Sequence, residues 1–180
     1  MDEKTTTAKT MTDIDSYLVF QIGNELFSTN VGKVLGIQEM VKITKVPKTP
    51  DYIIGVINLR GSVLPVIDTR IKFGMQATEF TVNTCIIVIE TNIDNNTVQI
   101  GALVDSVHSV IEVEKKDILP PPGIGSKFQS EFIKGMIKND EKFIILLNID
   151  KVFSTTELIN IKDIMSKQKD NKVKKPGKKQ

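Results

Sequence analysis

The chain has 180 residues, 40% hydrophobic and 26% charged, enough for one ordinary domain or two very small ones. No apolar run approaches the roughly 20 residues of a spanning helix, and a single cysteine, Cys85, excludes an intrachain disulfide and fits a reducing cytoplasm. The formal charge of +2 is uneven, because residues 167–180 hold seven lysines and one aspartate, a local +6 that leaves −4 for the rest.

Residues 1–14 begin MDEKTTTAKT, with two early acids and no apolar h-region; they read as a flexible N-terminus and not as a secretory signal. Short apolar runs bounded by Gly, Asn, Asp or Pro then read as strands at Tyr17–Ile22, Glu25–Thr29 and Leu35–Met40. Ile53–Leu59 and Ser62–Ile67 form a hairpin around Arg60-Gly61, where Gly61 supplies the positive φ of a two-residue turn. Pro65 cannot donate to a ladder, so the second of these strands is partly an edge or carries a bulge. Asp68 caps one turn, Thr69–Phe73, that Gly74 stops. Further strands are expected at Thr84–Glu90, Thr97–Val104, Ser109–Val113, Phe132–Ile137 and Lys142–Ile149. A helix is expected over 154–166, since Ser154 and Glu157 have capping-box spacing and Leu158, Ile161 and Met165 share a face. Residues 167–180 read as a disordered, lysine-rich tail.

The chain also repeats itself. Val31, Val34, Ile37 and Met40 match Val104, Val107, Val110 and Val113 at an offset of 73. Gly55 and Ile57 match Gly135 and Ile137 at 80, and Ile67-Asp68 match Ile149-Asp150 at 82. The last step implies that the second hairpin tip, 138-KNDEK-142, is two residues longer than the first. Each copy supplies about five strands and is marginal alone. The expected fold is therefore mainly β: two five-stranded β-barrels side by side, over 15–80 and 81–153, with the C-terminal helix closing an apolar face.

Residues that would carry chemistry are few. His108 is the only histidine and has no second ligand beside it, so no metal is expected. Cys85 opens an apolar strand and reads as a buried small hydrophobe. Asp68, Asp105 and Asp150 each follow an apolar run, where capping or turn formation is the simpler role. No phosphate loop or nucleophile elbow is present, and neither an enzyme nor a cofactor is expected. A small barrel with a basic tail raises nucleic acid as a rival partner, but the aromatics lie mostly within apolar strand runs and apart from the tail lysines. Val31, Val34 and Ile37 recur every three residues, as on one face of a helical turn, and Val104, Val107 and Val110 do the same. These residues either plug their own barrels or flank a cleft that would suit an amphipathic helix.

The stretch 52-YIIGVINLRGSVLPVIDTRIKFG-74 resembles the signature of the CheW family of bacterial chemotaxis coupling proteins. The flanking stretches 17-YLVFQIGNELFSTNVGKV-34, 101-GALVDSVHSVIEV-113 and 144-IILLNIDKVF-153 resemble it too, so the likeness covers about residues 15–155. It implies two SH3-like barrels and a cytoplasmic, non-enzymatic adaptor, peripheral to the membrane through receptor arrays without inserting into it. Its partners would be chemoreceptor tips and the histidine kinase CheA, with a CheW-like module of another sensory system as the alternative. By the same likeness, Val31, Val34, Ile37, Val104 and Val107 line a receptor-binding groove. Arg60 makes partner contacts, and Gly55, Asn58 and Gly61 hold its hairpin. Some relatives have an acid placed to pair with this arginine; here the position is Gly36.

Overall fold

Alternation in the long strands sorts their side chains into three separate cores. The computed structural model describes residues 13–93, 95–121 and 131–152, together with Asp163, which is helical. In chain order the strands are β1 (Ile14–Ile22), β2 (Glu25–Asn30), β3 (Val34–Glu39), β4 (Ile53–Leu59), β5 (Ser62–Asp68), β6 (Cys85–Ile93), β7 (Asn96–Val104), β8 (Ser106–Glu114), β9 (Ile118–Leu119), β10 (Ile133–Asn139) and β11 (Lys142–Leu147). Two single helical turns, α1 (Thr69–Lys72) and α2 (Ile149–Val152), follow β5 and β11. On β1, Tyr17 and Val19 join Val113, Ile137, Ile144 and Leu146 in one barrel core. A second barrel core gathers Ile57, Leu64, Val66, Ile86, Val88 and Leu103. The opposite faces of β1, β6 and β7 meet between the barrels, where Leu18, Phe20 and Ile22 pack with Ile87, Ile89, Ile100 and Ala102. Strands buried on both faces read as continuous apolar runs, which is what these three show in sequence. Each fully buried Ile or Leu contributes about 1.5–3 kcal/mol, so the shared core is a substantial part of what joins the barrels.

Sheet membership departs from the expected halves. One sheet runs β8-β1-β2-β11-β10-β9 and the other β3-β6-β7-β5-β4. The second barrel is thus the continuous segment 34–104, inserted into a first barrel made of 14–30 and 106–147. The division into 15–80 and 81–153 does not describe these sheets, because β3 pairs with β6 and β8 pairs with β1. Each copy's third strand has crossed to the other copy's first. The expectation of five strands per barrel holds for the long strands. β9 adds a short sixth to one sheet, and an isolated bridge between Thr44 and Val56 serves at the matching place in the other.

Local readings fared differently. Asp68 Oδ1 accepts from the N–H groups of Arg70 and Ile71 at 3.0 and 3.4 Å, and Gly74 has φ 78°, as the capped turn requires. Pro65 lies on the part of β5 that pairs only with β4, since pairing with β7 begins at Val66. β1 starts earlier than expected: Ile14 pairs with Glu114, so the flexible N-terminus does not extend through residue 14. The chain is helical from Ile149, and the strand expected to reach that residue ends at Leu147. The expected helix over 154–166, apart from Asp163, and the tail over 167–180 lie outside the described residues.

Candidate functional site

The expected groove residues fall on two edge strands. Val31 belongs to a 3-10 turn, Val31–Lys33, but Val34 and Ile37 lie on β3, an edge of its sheet. Val107 and Val110 lie on β8, the edge of the other sheet, and Val104 ends β7. The helical-face reading is therefore corrected. In extended chain, residues three apart point to opposite faces, and the register of β3 also shifts between Val34 and Gly36. Val34 and Val107 accordingly pack, partly buried, against the inter-barrel core. Ile37 and Val110 are 52% and 58% exposed. Val104 is 1% exposed and is part of that core, so it presents no surface of its own. Leu35, 51% exposed beside Ile37, was missed by the three-residue periodicity, although strand alternation marks it.

Cys85 shows where the two edges approach. It pairs with Glu39 of β3, and its thiol accepts a hydrogen bond from the Val107 backbone N–H at the start of β8. Burial pushes this thiol up from its ordinary pKa, against that smaller stabilising bond. Cys85 is thus a core residue, as its sequence position indicated.

At the β4–β5 hairpin, Arg60 and Gly61 have φ 51° and 83°, the left-handed pair of a type I′ turn. Asn58 Oδ1 accepts from the Gly61 N–H at 2.8 Å and fixes the tip. Arg60 is exposed, and among the described residues no carboxylate lies within ion-pair distance of it. Gly55 serves the fold and not a surface: it is buried with φ 148°, and a Cβ there would collide with the Thr44 carbonyl. Gly36 has no neighbour within 4 Å of where a Cβ would stand, so a larger side chain fits there.

The second tip is not longer. Leu59 pairs with Ser62 and Asn139 with Lys142, so both turns contain two residues. Register keeps the hairpins at one offset of 80, with Ile57–Leu64 matching Ile137–Ile144. The backbone bonds Asp68 N–H to Tyr52 O and Asn148 N–H to Phe132 O match at the same offset. Asp68 therefore corresponds to Asn148, and Arg70 to Asp150.

Asp105 and Asp150 do more than turn the chain. Asp105 accepts from Arg70 Nε at 2.9 and 3.0 Å, and Asp150 from Lys33 Nζ at 3.0 and 3.1 Å. Burial alone would raise the Asp150 carboxyl, but bonds from the Thr91 hydroxyl, Lys33 and the Asn92 N–H hold it below the usual aspartate value. His108 is exposed and meets Gln21 Oε1 through Nε2 at 3.2 Å. Among the described residues, no cluster of His, Cys, Asp and Glu could hold a metal, and no helix is long and apolar enough to cross a membrane. A cavity beside Lys33 and Asp150 measures about 60 Å³, room for a water or two against the roughly 300 Å³ at which small-molecule pockets begin. The more extensive apolar surface lies on the two edge strands, where Leu35, Ile37 and Val110 are exposed.

The family model for the CheW-like domain matches residues 16–157 of this chain. The chain belongs to the CheW-like family. A chemotaxis protein CheW from Rhizobium meliloti is 36% identical over 154 residues, covering 85% of this chain and 97% of the relative. The chemotaxis protein CheW of Thermotoga maritima is 33% identical over 146 residues, covering 81% and 90%. Among solved structures, the scaffolding protein TtCheW from Thermoanaerobacter tengcongensis superposes with a TM-score of 0.69 at 33% identity, covering 79% of this chain and 90% of that one. The two SH3-like barrels and the CheW-like signature around Arg60 thus belong to one family fold.

Proposed function

We propose that this protein is a cytoplasmic, non-enzymatic coupling protein that joins chemoreceptor cytoplasmic tips to the histidine kinase CheA in chemotaxis signalling arrays. The relatives named as chemotaxis proteins and the scaffolding protein among the structural neighbours support a role in assembly. The observation that carries the reading is the pair of apolar edge strands on opposite barrels. An amphipathic helical tip laid between them would contact Ile37, Leu35 and Val110 on the rims and reach Val34 and Val107 on the floor. Val31 stands where the chain enters the β3 wall.

The kinase contact is assigned to the β4–β5 tip. Arg60 is charged, exposed and held on a rigid turn, so its guanidinium offers a preorganised donor set to a partner carboxylate. Two separate surfaces on one chain let receptor and kinase be held together, which is the physical content of coupling. Isothermal titration with a receptor cytoplasmic fragment and with the CheA regulatory domain tests this. Micromolar or tighter binding to each is expected. Failure of both to bind would overturn the proposal.

A further inference from the structure

We propose that two ion pairs, Arg70–Asp105 and Lys33–Asp150, clamp the angle between the barrels and so set the separation of the groove walls. Among the described residues the chain passes between the sheets only twice, at Val31–Lys33 and at Asp105. Each passage delivers the chain directly into a wall, since Lys33 precedes β3 and Asp105 precedes β8. A charge stands at each passage, and each is met by an opposite charge on the helical turn that follows a hairpin, α1 after β4–β5 and α2 after β10–β11.

The clamps reach across both sheets. Arg70 rides on α1, behind β5 of one sheet, and Asp105 also accepts at 2.6 Å from the Gly23 N–H, in the β1–β2 turn of the other. Asp150 rides on α2, behind β11, and also accepts from the Thr91 hydroxyl at 2.8 Å, on β6 of the opposite sheet. Arg70 and Asp150 occupy matching places in the repeat, at the hairpin offset of 80. The two clamps therefore share one matching position, occupied by opposite charges, while their other members, Asp105 and Lys33, stand one residue apart in the repeat. The clamps are unequal. Arg70–Asp105 is bonded through both Nε and a terminal nitrogen at 28% and 15% side-chain exposure, whereas Lys33–Asp150 stands at 32% and 41%. The more buried, forked pair is the stiffer hinge, and the more exposed one yields first.

This inference rests on the groove reading above, and its test separates the two. Spin labels are placed on the full chain through Ser62→Cys on one barrel and Lys138→Cys on the other, both exposed sites, with buried Cys85 left in place. Pulsed dipolar distances are then compared with and without Asp105→Asn, Lys33→Met and Arg70→Lys. A single narrow distance is expected in the parent, broad and shifted in Asp105→Asn, less so in Lys33→Met, and intermediate in Arg70→Lys, which keeps charge without the fork. Receptor-fragment affinity should fall about tenfold in Asp105→Asn, as a shared population of barrel angles dictates, while affinity for the CheA regulatory domain stays within about twofold. Unchanged distances in folded Lys33→Met and Asp105→Asn, with only a lower melting temperature, would overturn the clamps. Changed distances with no receptor binding even by the parent would uphold the clamps and overturn the receptor reading instead.

Discussion

At the tip of β4–β5 stands Arg60-Gly61, and at the tip of β10–β11, at the matching place, stands Asp140-Glu141. The first turn residue is left-handed in both, with φ 51° at Arg60 and 52° at Asp140. Both hairpins bulge at a glycine, Gly55 or Gly135, where a neighbouring carbonyl leaves no room for a Cβ. Backbone, register and bulge are common to the two; the chemistry of the tips is not. A left-handed non-glycine residue costs roughly 1–2 kcal/mol, and aspartate tolerates the region better than arginine does. Arg60 therefore stands where the turn alone favours glycine or aspartate. Its own hairpin adds a brace, Asn58 to Gly61, at a position where the other hairpin has Lys138. The shared features specify the fold, and the departures single out the β4–β5 tip, where the proposed kinase contact lies.

Breaking the shared part should have the largest effect. Gly55→Val would drive a branched side chain into the Thr44 carbonyl at a backbone conformation L-residues avoid, and urea unfolding should show a loss of about 3 kcal/mol or more. Gly135→Ala, which meets Leu119 O at 2.8 Å, should lose less, about 1–2 kcal/mol. Equal, negligible losses would show that the bulges are not needed. Burial then separates the groove residues. Val104→Asp should cost several kcal/mol, because it places an unpaired carboxylate in the core. Ile37→Asp should leave the melting temperature nearly unchanged and weaken receptor-fragment binding at least tenfold, as loss of a central interface anchor does. At the tips, Arg60→Gly should stabilise by about 1 kcal/mol while abolishing the kinase contact. The matching Asp140→Gly should change neither binding partner.

The smallest effect is one of pH. Asp150 is held below the ordinary aspartate value, so its contribution is complete above about pH 3.9 and is lost as pH falls through its lower folded value. Asp150→Asn should remove that acid-side slope from a stability–pH profile and leave the neutral region nearly parallel to the parent.

Much of the fold was legible because alternation is local. Nearly every long strand, the Asp68 cap and the Arg60-Gly61 turn lie close to where the residues indicate. The exchange of β3 and β8 was not legible, since both copies carry the same pattern and it cannot say which copy's third strand joins which first strand. The second tip was misjudged because Ile67-Asp68 was aligned with Ile149-Asp150 by residue type, whereas hydrogen-bond register pairs it with Leu147-Asn148. The clamps escaped notice because Asp105 and Asp150 meet cations 35 and 117 residues away. For the proposed groove, a three-residue period was applied to what is extended chain, which is why buried Val104 was included and exposed Leu35 omitted.

Simultaneous binding tests the central claim most directly. The full chain is titrated with a receptor cytoplasmic fragment, then with the CheA regulatory domain, and the assembly is sized by light scattering. The account predicts a ternary complex, with Ile37→Asp losing the receptor component and Arg60→Ala losing the kinase component. Competition of the two partners for one surface, or loss of both through either substitution, would contradict it.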